Sequence, residues 1–167
     1  MYIDWRNVLP EPPENNSQIT REEIQEVSEL SDKRTDRQVE LVMVVDKDIR
    51  VMFERLLKDN NLSYPAEKIK KLYNTIVFPV IMNLKWRYNR PRPYQLSPKF
   101  GVEIDYIPTD TINTPSYPSG HTAYATIIAS VLSEMYPEFS SEFYELVNVA
   151  GKAREIQGVH YESDNDA

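Results

Sequence analysis

The chain has 167 residues, 41% of them hydrophobic and 27% charged, with a net charge of −7 and no cysteine. Such a composition describes a folded chain, long enough for one domain with its own core, and it excludes a disulfide framework and a thiolate zinc site. The negative charge argues against general nucleic-acid binding, which needs a field that attracts phosphates.

The N-terminus, Met1-Tyr2-Ile3-Asp4-Trp5-Arg6, lacks the basic and then apolar regions of a secretory signal. The longest uncharged apolar runs, Thr75 to Leu84 and Thr122 to Leu132, fall well short of the ~20 residues that cross a bilayer. A soluble, cytoplasmic protein without a transmembrane segment is expected. Residues 1–18, with Pro10, Pro12 and Pro13, read as an arm laid over a single domain spanning 19–167.

Within that domain, Thr20-Arg21-Glu22-Glu23 is a capping-box pattern that starts a helix with Ile24, Val27 and Leu30 inward. Thr35-Asp36-Arg37-Gln38 is a second, and Val39, Val42, Ile49, Met52, Phe53, Leu56 and Leu57 keep a helical period behind it to about Lys58. Pro65 suits a first helical turn. Ile69, Leu72, Tyr73, Ile76, Val80 and Leu84 carry a third helix toward Tyr88, with a kink expected at Pro79. Only Val102 to Ile107 offers a strand-like run. The prolines of Asn89-Arg90-Pro91-Arg92-Pro93 must stop the third helix and hold Arg92 in a rigid extended piece.

After an irregular stretch comes Tyr117-Pro118-Ser119-Gly120-His121, directly before an apolar run, Ala123 to Leu132, that reads as a helix. A small hydroxyl residue and a glycine there leave the first helical N–H groups free for an anion. Pro137 breaks this helix, and Glu138 to about Ile156 reads as the next. Gly158 interrupts again, and Val159 to Asp164 reads as the start of a further helix. The fold class is all-α, a single-domain helical bundle.

Charge is unevenly placed. From Lys85 to Lys99 stand five basic residues, Lys85, Arg87, Arg90, Arg92 and Lys99, and no acidic one. An acidic chain with one basic island points to a small anionic ligand. Three spaced pieces frame it: Lys85-(six residues)-Arg92-Pro93, Pro118-Ser119-Gly120-His121, and Arg154-(five residues)-His160-(three residues)-Asp164. Each alone has an ordinary alternative: a solvated helix-end lysine, a serine N-cap, a surface arginine, a local i,i+4 contact. Both histidines of the chain fall inside the pattern, and three spacings match together.

Together these residues resemble the three-part signature of the type 2 phosphatidic acid phosphatase (PAP2) superfamily, which includes bacterial non-specific acid phosphatases and vanadium-dependent haloperoxidases. The pattern departs once, with Ala153 where the family often has serine. The resemblance implies a phosphoric monoester hydrolase with His160 as nucleophile, through a phosphohistidine. His121 is then general acid and base, and Asp164 aims His160 from the same helix face. Lys85, Arg92 and Arg154 supply three cations for the phosphate, completed by the Ser119 hydroxyl and the N–H groups around Gly120.

The expected partner is a small phosphorylated substrate, which could include a lipid phosphate met at a membrane surface, and no cofactor is expected. No metal is expected either, because three cations would repel a divalent ion. Vanadate would be a cofactor only under the rival haloperoxidase reading, and a non-catalytic phosphate-binding or scaffold protein is the third. The aromatic residues Tyr94, Phe100, Tyr106 and Tyr117 are placed around the leaving group or in the packing. A helix carrying Asp164 is expected to run on past Ala167, which points to a truncated chain or to a partner covering that side. Oligomeric state is left open.

Overall fold

The computed structural model describes residues 9–167, and among these it contains helices and irregular segments but no strand. Of the predicted arm, residues 1–8 lie outside the described residues.

Helix α1 spans Gln18–Asp32 and starts two residues before the predicted box. Its cap is Ser17, whose hydroxyl accepts from the Thr20 N–H at 3.2 Å. Thr20 is instead buried inside the first turn, donating to the Glu14 carbonyl at 2.8 Å. The predicted box at Thr35 and Gln38 is present and opens α2, Asp36–Asp48. The long helix expected behind it is two helices, because the Asp48 carboxylate takes the N–H of Arg50 at 3.1 Å and restarts the chain as α3, Arg50–Asp59.

Helix α4, Ala66–Leu72, runs into a π-helical turn, Tyr73–Val77, and then α5, Phe78–Tyr88. Pro79 explains the wide turn, since it cannot donate back to the preceding turn and its ring crowds it. Asn89, left-handed at φ 47°, ends α5. Short helix α6, Pro93–Leu96, is followed by a 3₁₀ turn, Ser97–Phe100. The run Val102–Ile107 forms no strand. It is pinned through Ile107 N–H to the Gln157 carbonyl at 2.9 Å and through Gln157 Nε2 back to the Ile107 carbonyl at 3.0 Å.

Helix α7, Gly120–Met135, opens at Ser119 as the sequence indicates. The 3₁₀ turn Pro137–Phe139 folds the chain back into α8, Ser140–Ile156. Helix α9, Glu162–Asn165, is a single turn. Helix α8 packs against α7, α2, α1 and α3, and α7 packs against α5, α4 and α3. The core follows: Val42, Val45, Phe53 and Leu57 meet Ile128, Leu132, Phe143 and Val147, all buried. Each such side chain contributes about 1.5–3 kcal/mol on leaving water. Buried Ala125, Ala129, Ala150 and Ala153 join the same cluster. Because α7 and α8 form a hairpin, the open end of that hairpin sets the start of α7 beside the end of α8. Two of the three spaced motifs meet there.

Candidate active site

Around that end lies a cavity of about 390 Å³ whose lining includes Lys85, Arg92, Gly120, His121, Arg154 and His160. Six of the eight predicted site residues thus converge on one space. Of the other two, Asp164 stands behind His160. Ser119 is the N-cap of α7, its hydroxyl 3.0 Å from Thr122 Oγ1, and it lines a neighbouring apolar groove instead. The backbone N–H groups of Gly120 and His121, on the first turn of α7, have no acceptor among the described residues.

Lys85 is 4% exposed, and its Nζ donates to the carbonyls of Pro115 at 2.6 Å and Ser116 at 3.0 Å. Burial, then the charge of Arg92, pulls its ammonium down to about 7. Arg92 donates to the carbonyls of Thr114 at 3.0 Å and Val159 at 2.9 Å. Burial first and Arg154 second lower it to about 10. These two cations are thus held by carbonyl dipoles with no carboxylate among their partners. Arg154, buried, pairs with Asp46 and donates to Thr111 Oγ1 at 3.0 Å, while its Nε has no partner among the described residues. Burial lowers Arg154 as well.

His160 does not sit on a helix, contrary to the helix-face expectation. It precedes α9, in the stretch after Gly158, where φ is +85°. An added Cβ at Gly158 would stand 2.9 Å from Ile104 Cγ2 and 3.0 Å from the Tyr106 Cα, so both conformation and space require glycine there. The reversal brings His160 back beside Arg154. Asp164 reaches it as a cap: Oδ2 accepts from His160 Nδ1 at 2.9 Å and from the Tyr161 N–H at 3.1 Å. Its Oδ1 takes Arg90 Nη1 at 2.7 Å.

Burial pushes Asp164 upward, while Arg90 and the Tyr161 N–H pull it down. The donors on both oxygens match a carboxylate. Burial and the charges of Arg92 and Lys85 hold His160 well below its ordinary value, so the ring is neutral. With Nδ1–H given to Asp164, the Nε2 lone pair accepts from Arg92 Nη1 at 3.2 Å.

His121 is held more loosely, with Nε2 3.4 Å from the Asp46 carbonyl. Burial and Arg154 lower it to about 3. Among the described residues no group of three His, Asp or Glu is arranged to hold a metal ion.

Three features were not singled out from the sequence. Asp46 binds Arg154, Thr109 and Thr111. Its signal was a carboxylate one residue past buried Val45 and one turn from buried Val42 and Ile49. Arg90, 2% exposed, binds Glu23 at 2.9 Å and lies 3.8 Å over the Tyr161 ring. The cavity aromatics are Tyr73, Phe78 and Tyr124. Tyr94 and Tyr106 stack on each other at 3.9 Å, Phe100 lies under Arg21, and Tyr117 is buried, donating to the Pro10 carbonyl at 2.6 Å. These four pack the fold and do not line the cavity. Trp86 is 60% exposed and is also outside it. Ala153 packs in the core.

The family model of the PAP2 superfamily matches residues 69–165. A non-specific acid phosphatase of Salmonella typhimurium is 52% identical over 52 residues, covering 31% of this chain and 21% of the relative. One from Providencia stuartii is 46% identical over 52 residues, with the same coverage. The chain thus matches about a fifth of the length of these relatives. The solved structure of a transmembrane PAP2-type phosphatidylglycerolphosphate phosphatase from Bacillus subtilis superposes with a TM-score of 0.56 at 16% identity, covering 90% of this chain and 79% of that one. It shares the fold. Among the described residues of this chain, no helix is long and apolar enough to cross a membrane.

Proposed function

The chain belongs to the PAP2 superfamily, and from that premise we propose that it is a phosphoric monoester hydrolase working through a phosphohistidine on His160 without a metal ion. The observation that carries the reading is the polarised imidazole. Nδ1 is tied to Asp164 at 2.9 Å, which leaves Nε2, 3.2 Å from Arg92 Nη1, as the nitrogen on the side of the cavity that holds Lys85, Arg92 and Arg154.

Charge balance supports a phosphate ligand. Three cations face the cavity, and Asp46 is the carboxylate paired to one of them, Arg154. Lys85 and Arg92, which have no carboxylate partner among the described residues, are the cations left to meet a phosphate, and its charge in turn favours the protonated form of Lys85. The N–H groups of Gly120 and His121 add donors at the positive end of α7. Such fixed donors favour the transition state, in which charge spreads over the equatorial oxygens.

In the first step His160 Nε2 bonds to phosphorus as the ester P–O bond breaks. The leaving oxygen takes a proton from His121, and Asp164 keeps Nδ1–H while stabilising the imidazolium that forms. In the second step neutral His121 removes a proton from water. The hydroxide bonds to phosphorus, the P–N bond breaks, and phosphate leaves with His160 restored. The net change is monoester plus water to alcohol plus phosphate. Burial and Arg154 keep His121 neutral, so its acid role depends on the substrate: the phosphate's charge offsets that of the cations, and a phosphate monoanion brings a proton of its own.

Hydrolysis of an aryl phosphate by the wild type and by His160→Ala, with chelator and with vanadate, tests the reading. Turnover that survives chelator, is inhibited by vanadate and is abolished in His160→Ala is the expected result. A folded wild type that is silent here but oxidises halide with vanadate and peroxide would move the assignment to a haloperoxidase. Phosphate binding with silence in both assays would leave a binding protein.

A further inference from the structure

The cavity has a second character beyond its cations. On α5, Phe78, Ile81, Met82 and Lys85 fall at i, i+3, i+4 and i+7, and all four line it. This face runs from Phe78, 47% exposed, to Lys85, 4% exposed, so it is apolar toward solvent and charged at the buried end. On α7, His121 and Tyr124 lie one turn apart and both line the same space. Tyr73, the first residue of the π-helical turn, also lines it and stacks on Tyr124 with centroids 4.1 Å apart and planes at 29°. Phe78 leans on Tyr73 at 5.9 Å. The other side is polar and short, with Asp110, Thr111 and Thr114.

We infer that the slot between this aromatic wall and the Asp110–Thr114 loop is the leaving-group subsite, selecting phosphomonoesters of a small aromatic alcohol. The inference rests on the phosphatase reading for its substrate, but the binding surface stands apart from turnover. A phosphate among the cations places its ester oxygen on the side of His121, one helical turn from Tyr124. Phe78, Ile81 and Met82 offer no hydrogen-bond group, so a polyol such as glycerol would leave hydroxyls unpaired against them. A flat ring instead stacks on the tyrosines and covers apolar surface.

Size points the same way. At about 390 Å³ the cavity is at the low end of the ~300–1,000 Å³ usual for small-molecule sites, and part of it must hold the phosphate. Asp110, exposed at the rim, disfavours a second anionic group on the alcohol.

The test measures binding and turnover separately. Calorimetric titration with phenylphosphonate and methylphosphonate is expected to show about ten-fold tighter binding of the phenyl compound. In Phe78→Ser, which alters a half-exposed side chain, that ratio should fall to a few-fold while the affinity for inorganic phosphate holds. Phenyl phosphate and glycerol phosphate are then compared by kcat/KM in both proteins, with the same ratio expected to shrink. Equal binding of the two phosphonates, or a Phe78→Ser loss shared equally by inorganic phosphate, would overturn the subsite. A phenyl preference in binding with no monoester turned over would sustain the subsite and remove the phosphatase reading. Turnover without preference would do the reverse.

Discussion

The two histidines share one cavity and are held in opposite ways. His160 is fixed on both nitrogens, by Asp164 at 2.9 Å and Arg92 at 3.2 Å, and Asp164 is in turn fixed by Arg90, which bonds Glu23. Among the described residues His121 has one hydrogen-bond contact, at 3.4 Å, to a backbone carbonyl. Rigidity suits a nucleophile, whose lone pair must point at phosphorus. Looseness suits a proton carrier, which serves a leaving oxygen in one step and a water in the next. Burial and the cavity cations lower both rings, and the charge of a phosphate decides when His121 becomes an acid.

The contrast can be broken from either side. His160→Ala is expected to lower kcat for an aryl phosphate by about 10⁴-fold or more, since the covalent route is gone, while phosphate still binds. His121→Asn should cost about 10²- to 10⁴-fold and, with a good aryl leaving group, slow the second step more than the first. A pre-steady-state burst of the aryl alcohol is its signature; equal slowing of both steps would mean that His121 does not serve the water.

Asp46→Ala leaves the buried Arg154 guanidinium without its carboxylate. Folding stability should fall by about 3 kcal/mol, seen in denaturant titration, and added phosphate should restore more of it than in the wild type by becoming the missing counter-ion. An unchanged phosphate response would show that Arg154 does not reach the ligand.

The last effect is on pH dependence. His121 at about 3, His160 well below its ordinary value and Lys85 at about 7 all bind protons less readily folded than unfolded. The stability they contribute is complete above the unfolded values, ~6.5 for histidine and ~10.4 for lysine, and is lost as pH falls toward the folded ones. These groups therefore lower the Tm from ~10.4 to about 7 and again below ~6.5 as acid is added. Phosphate binding should reverse the sign, with protons taken up near pH 6, read from calorimetry in buffers of different ionisation heat. Proton release on binding would contradict the coupling.

Much of this site was legible because its parts are short and local. Lys85 to Arg92, Ser119 to His121 and Arg154 to Asp164 are stretches in which prolines, a cap or a glycine set the backbone, and the structure brings them together. What was hidden depends on distant packing. The partnership of Asp46 with Arg154 spans 108 positions, and that of Arg90 with Glu23 spans 67. The break at Ile49 turned on the Asp48 side chain taking one N–H, which periodicity does not register. The aromatic wall was missed for a related reason: the π-helical turn at Tyr73 rotates the face that α5 presents. Phe78, Ile81 and Met82 line the cavity, while Ile76 and Val80, which a regular period puts on the inward face, line the neighbouring groove.

The central claim is the covalent bond at His160, and rapid acid-free quenching of the enzyme mixed with an aryl phosphate, followed by peptide mass spectrometry, tests it most directly. A phosphoryl group on the peptide bearing His160, enriched in His121→Asn and absent in His160→Ala, is the predicted result. Turnover with no phosphorylated peptide at any quench time, or the phosphoryl group on another residue, would contradict it.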